Sequence, residues 1–183
     1  MSSDGDLVTL AASIEAAAVT TLTALFAGSI VASAPKGVGT LTAAALSSHR
    51  QCRDALNAQA AEPVLVAPDD VVTRLGLQNA DAVTQLADVL AIATRVDDLL
   101  TQTCVSAVPQ VSDPSLRALL AQVAAAAGRR LGALRTLAAI PPGELNLALG
   151  PPVHPTVLSA DVGSAGATAS FVGTSDALSP DHA

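Results

Sequence analysis

With 183 residues, half of them hydrophobic, the chain holds enough for one well-formed core and too little for two ordinary domains. Its formal charge of −7 and pI near 4.6 exclude a nucleic-acid surface, because neutralising phosphates takes clustered lysine and arginine and Lys36 is the only lysine. The apolar content is almost all Ala, Val and Leu, with Phe26 and Phe171 the only aromatics, a composition suited to closely packed helices.

The N-terminus, MSSDGDLVTL, is acidic and lacks the basic stretch of a secretory signal, so a cytoplasmic location is expected. Cys52 and Cys104 are too few for a disulfide framework and stand in no CxxC spacing, which makes them small buried hydrophobes.

A first helix is expected from about Asp6 to Ser33, with Asp4 or Asp6 as its cap. Leu7, Leu10, Ile14, Ala18, Leu22 and Leu25 make an apolar stripe on it, and Glu15 lies beside that stripe. The uncharged run from Ala16 to Pro35 has the length to cross a bilayer, but its Ala, Thr, Ser and Gly content favours a buried helix. Membrane contact is not expected, since attraction to anionic lipid comes from Lys and Arg.

After the Pro35 to Gly39 break, a second helix should start near Thr40 or Leu41 and run to about Ala60. Its inward face carries Ala45, Leu46, His49, Arg53 and Leu56. Glu62 to Gln78 reads as a long connection with one short helix starting near Pro68 or Asp69. A third long helix should begin near Asn79, with Val83, Leu86, Leu90, Ala93, Leu100 and Cys104 on its apolar side. Asp97 stands in that row, while Asp98 turns about 100° away toward solvent. In the fourth helix Asp113 caps, Pro114 takes the first position, and Leu116, Leu120, Val123, Leu131, Leu134 and Leu137 share a face with Arg130. From Pro141 the chain turns to Pro, Gly, Ser and Ala, so 141–183 is expected to be a mostly disordered tail, with 1–140 as the folded domain.

Each long helix thus turns an ionisable side chain inward, and the set singled out is Glu15, His49, Asp97 and Arg130. A guanidinium on an apolar face requires a carboxylate partner.

These strings resemble the small actinobacterial ferritin-like domains. Such up-down four-helix bundles place a Glu on the first and third helices and a Glu-x-x-His on the second and fourth. Glu15 in AASIEAAAV matches the first carboxylate. Leu46-Ser47-Ser48-His49 matches the second motif with leucine for its glutamate. Asp97 in DDLLTQTC takes the third position, one methylene shorter, and Ala127-Gly128-Arg129-Arg130 takes the fourth with Ala127 for glutamate and Arg130 for histidine. The resemblance covers roughly residues 6–138. It implies an all-α ferritin-like bundle with a long connection between its second and third helices.

A dinuclear iron or manganese site needs several carboxylates, and a guanidinium cannot serve as a ligand. The expectation is therefore a non-catalytic bundle without a cofactor. Its polar cluster of Glu15, His49, Asp97 and Arg130 sets helix register, and the chain acts through a protein partner or as a homo-oligomer. The alternative is a reduced mononuclear iron or manganese site at Glu15, His49 and Asp97.

Other chemistry finds no foothold in the sequence. GVG at 37–39 lacks the spacing and the following Lys-Ser/Thr of a phosphate loop, and no GxSxG elbow occurs. Ser48 and His49 are helix neighbours that diverge by about 100° and cannot make a triad contact.

Overall fold

The computed structural model describes residues 3–78 and 80–139, with the side chain of Asp81 left aside. The chain is all-α, and no strand occurs among the described residues. Four long helices dominate: α1 (Asp4–Ala27), α3 (Lys36–Asn57), α5 (Leu86–Ala107) and α6 (Pro114–Ala139). Two short ones, α2 (Ser29–Ala32) and α4 (Asp69–Leu75), sit in the connections. Residues 140–183, which include the tail expected over 141–183, lie outside the described residues.

α1 begins at Ser3, whose hydroxyl accepts from Asp6 N at 3.2 Å while Ser3 N donates to the Asp6 carboxylate at 2.7 Å. This reciprocal pair satisfies two otherwise orphaned backbone donors, so Ser3 is the cap and Asp6 its partner. Asp4 does a different job. Its carboxylate accepts from Ser112 N, from the Ser112 hydroxyl at 2.7 Å and from Asp113 N at 2.8 Å, tying the start of α1 to the turn before α6.

Every residue from Leu10 to Val19 is buried, so α1 is enclosed on all sides and not merely along one stripe. The small side chains of Ala11, Ala12, Ser13, Ala16, Ala17 and Ala18 permit this, because α3, α5 and α6 approach it together. α1 is also the one helix among the described residues long and apolar enough to cross a membrane, and 67% of its apolar window is buried inside the protein.

The other boundaries follow from local chemistry. The expected single first helix breaks at Gly28, whose extended backbone separates α1 from α2. α3 starts at Lys36, directly after Pro35, some four residues before the expected start. It ends at Asn57, whose side chain clamps the long connection by donating to Val64 O (3.1 Å) and accepting from Val64 N (2.9 Å). α4 follows Pro68 and closes on Gly76, which has φ +69° and lets Leu77 N reach back to Val72 O at 3.0 Å. α5 starts at Leu86 and not near Asn79. Ala80–Ala82 forms a 3₁₀ turn and Gln85 is extended, so Val83 stays half-buried in the connection. α6 starts at Pro114 with the Asp113 carboxylate accepting from Ser115 N (2.7 Å) and Leu116 N (3.3 Å).

One core joins all four long helices. Ile14 and Leu22 of α1, Leu56 of α3, Leu100 and Cys104 of α5, and Leu120, Leu134 and Leu137 of α6 meet in it, and α4 adds Val71 and Leu75.

Candidate functional site

In the middle of that core the long helices converge on a polar cluster. Glu15, His49 and Asp97 are fully buried, and Arg130 is 7% exposed. His49 Nδ1 lies 2.6 Å from Glu15 Oε2, and the two share a hydrogen bond. Arg130 comes from the opposite helix. Its Nε and one terminal nitrogen both stand 2.8 Å from Asp97 Oδ1, and that same nitrogen is 3.4 Å from Glu15 Oε1. Its other terminal nitrogen donates to Ser48 Oγ at 2.8 Å and lies 3.9 Å from Cys52 Sγ.

All four residues singled out from the sequence are therefore brought together, and each contributes to one connected network. Ser48 and Cys52 were not anticipated as members. Ser48 precedes His49 and Cys52 follows it by three, so both border its face of α3, but only the reach of Arg130 from α6 recruits them. Arg53, expected to face inward, is half-exposed and pairs with its neighbour Asp54 at 2.7 Å. Asp98 pairs at the surface with Arg135 at 3.2 Å and with Gln102 Nε2 at 3.2 Å.

The sequence makes room for the guanidinium. Ala124 and Ala127 are buried on the same helix as Arg130, so no bulky neighbour competes for the centre. Leu46 packs half-buried against the apolar core.

Electrostatics set the character of the cluster. Burial pushes the Asp97 carboxyl above its usual range, further than the His49 and Arg130 charges pull it down. For Arg130, burial works against the charge, but Asp97 and then Glu15 outweigh it and hold the guanidinium above its ordinary value. Burial, with Glu15 nearby, also raises the thiols of Cys52 and Cys104, which are both free. Within the cluster two buried atoms, His49 Nε2 and Asp97 Oδ2, have no hydrogen-bond partner among the described residues, and Nε2 is 3.7 Å from Asp97 Oδ1.

The donor set does not fit a dinuclear metal centre. Glu15 and Asp97 both face Arg130, and a cation held by them would sit against a fixed positive charge. Among the described residues no group of three His, Cys, Asp or Glu side chains is arranged to hold a metal ion. What the arrangement does chemically is bind helices: α1 to α3 through Glu15 and His49, and α6 to α5, α1 and α3 through Arg130. No family model matches the chain, and no curated protein or solved structure is significantly similar to it.

Proposed function

We propose that this chain is a ferritin-like four-helix bundle without metal catalysis, in which Arg130 takes the place of the metal ions and the protein serves as a structural or interaction subunit in the cytoplasm. The observation that carries this reading is the guanidinium itself, bonded to Asp97 at 2.8 Å and standing 3.4 Å from Glu15 at the centre of the four long helices. A buried ion pair of this kind need not raise net stability, but it penalises any register that separates its members. Register control is what a scaffold needs, whereas a redox centre needs open coordination positions.

Two surface features support association. Only 14% of the residues are charged, and Leu65 and Val66 stand 80% and 82% exposed in the connection after α3. An apolar, charge-poor surface suits coverage by a second copy or by another protein.

The test is the molar mass in solution by light scattering, for the wild type and for a Leu65→Ser/Val66→Ser variant. The reading expects an assembly larger than the monomer that dissociates in the variant. A wild type that is monomeric at all concentrations and captures no stable partner opposes it.

A further inference from the structure

A groove of about 490 Å³ lies between the C-terminal turn of α1, α2 and the N-terminal half of α3. Phe26, Val31, Ala43 and Leu46 form its apolar walls. Its two threonines are spoken for: the Thr23 hydroxyl donates to Val19 O at 2.6 Å and the Thr42 hydroxyl to Val38 O at 3.0 Å. Lys36 and Arg50 complete the lining, and among the described residues no carboxylate belongs to it. In a chain of net charge −7 that is an unusual place, an apolar trough bearing positive charge only.

The cations stand apart. Fourteen positions separate Lys36 from Arg50 on α3, about 21 Å of helix axis and close to four whole turns, so both fall on the groove side at opposite ends. Arg50 is steadied there by donating to Thr23 Oγ1 at 3.4 Å. A second copy laid along this face meets like charges in either direction, Lys36 on Lys36 or Lys36 on Arg50, which disfavours self-pairing. The second groove beside α1, about 410 Å³ and lined by Ala24, Leu25, Ile30 and Leu77, has no cation among its described lining residues and serves as an internal contrast.

We propose that the α1–α2–α3 groove binds a free single-chain aliphatic carboxylate, its hydrocarbon tail along Phe26, Val31 and Leu46 and its head group on Arg50. The occupant follows from the lining. Apolar walls with one or two placed polar groups are what small-ligand sites share, and a guanidinium fork matches a carboxylate bidentately. The site is independent of the buried cluster, so it stands or falls apart from the function proposed above.

Calorimetric titration of the full chain with dodecanoate, kept below its micelle concentration, tests the site. The expected result is one site per chain, with affinity rising about ten- to fifteenfold for every two carbons from octanoate to dodecanoate. Arg50→Gln should weaken binding about tenfold, and Ala43→Phe, which fills the groove from an exposed position, should abolish it while leaving the helical circular dichroism unchanged. Equal binding of dodecyltrimethylammonium, which has the same tail and a cationic head, overturns the proposal. So does absence of dodecanoate binding, whether the protein instead sediments with phosphatidylglycerol vesicles or forms a dimer that Ala43→Phe disrupts.

Discussion

Replacing Arg130 by alanine removes hydrogen bonds to Asp97, Glu15, Ser48 and Cys52 at once from a buried site. Asp97 Oδ1 loses its 2.8 Å Nε donor and a 2.8 Å ion-pair contact, its Oδ2 already has no partner among the described residues, and Ser48 Oγ loses its 2.8 Å donor. An uncompensated buried charge costs on the order of 3–5 kcal/mol, a large part of the roughly 5–15 kcal/mol that holds a domain of this size together. With a urea dependence of about 2 kcal/mol/M, the denaturation midpoint should fall by about 2 M at unchanged slope. Arg130→Lys keeps the charge but loses the fork, so it should recover only part of this. Asp97→Ala in the same background should show a coupling of about 2 kcal/mol in a double-mutant cycle. A midpoint shift worth less than about 0.5 kcal/mol, or strict additivity of the two substitutions, refutes the claim that Arg130 and Asp97 are an obligate buried pair.

Asp97 and Asp4 should respond to acid in opposite senses. Burial raises the Asp97 carboxyl in the folded state, so its contribution is fully present below the unfolded value near pH 4 and is lost as pH rises through the folded one. Asp97→Asn should accordingly narrow its stability deficit, or turn it into a gain, as pH rises through that window in paired urea melts. The Asp4 carboxyl is held low by the Asp113 and Ser112 donors, so its contribution is present above the unfolded value and lost as pH falls through the folded one. Asp4→Ala should remove that acid-sensitive component and speed amide exchange at Ser112 and Asp113, as read by hydrogen exchange. Burial raises both thiols, so Cys52 and Cys104 should react slowly with a thiol reagent in the native protein and fully in denaturant. Gly76→Ala should destabilise by about 1 kcal/mol in thermal melts, since φ is +69° and the new Cβ would stand 3.1 Å from an Arg95 guanidinium nitrogen.

The positions of Glu15, His49, Asp97 and Arg130 were legible because each stands at helical spacing from large apolar residues on its own helix. Asp97 shows the logic, seven after Leu90 and three before Leu100. Membership of Ser48 and Cys52 was not legible, since no spacing on α3 reports how far a side chain from α6 extends. Arg53 shares the helical row of His49, yet a long side chain near a helix end reaches solvent and finds Asp54. Complete enclosure of α1 was missed for a different reason. Alanine, serine and threonine give no periodic signal, and only the simultaneous approach of three neighbours reveals that they are all covered. The late start of α5 likewise depends on the 3₁₀ turn at Ala80–Ala82, where Ala-Asp-Ala carries no proline or glycine to announce a break.

The central claim is that a guanidinium fills the place of metal in this bundle. Elemental analysis of protein purified without chelator from iron- and manganese-supplemented cells tests it most directly. The account predicts iron and manganese far below one per chain in the wild type. A stoichiometric metal that is lost on Glu15→Ala or His49→Ala would contradict it and make Glu15, His49 and Asp97 ligands.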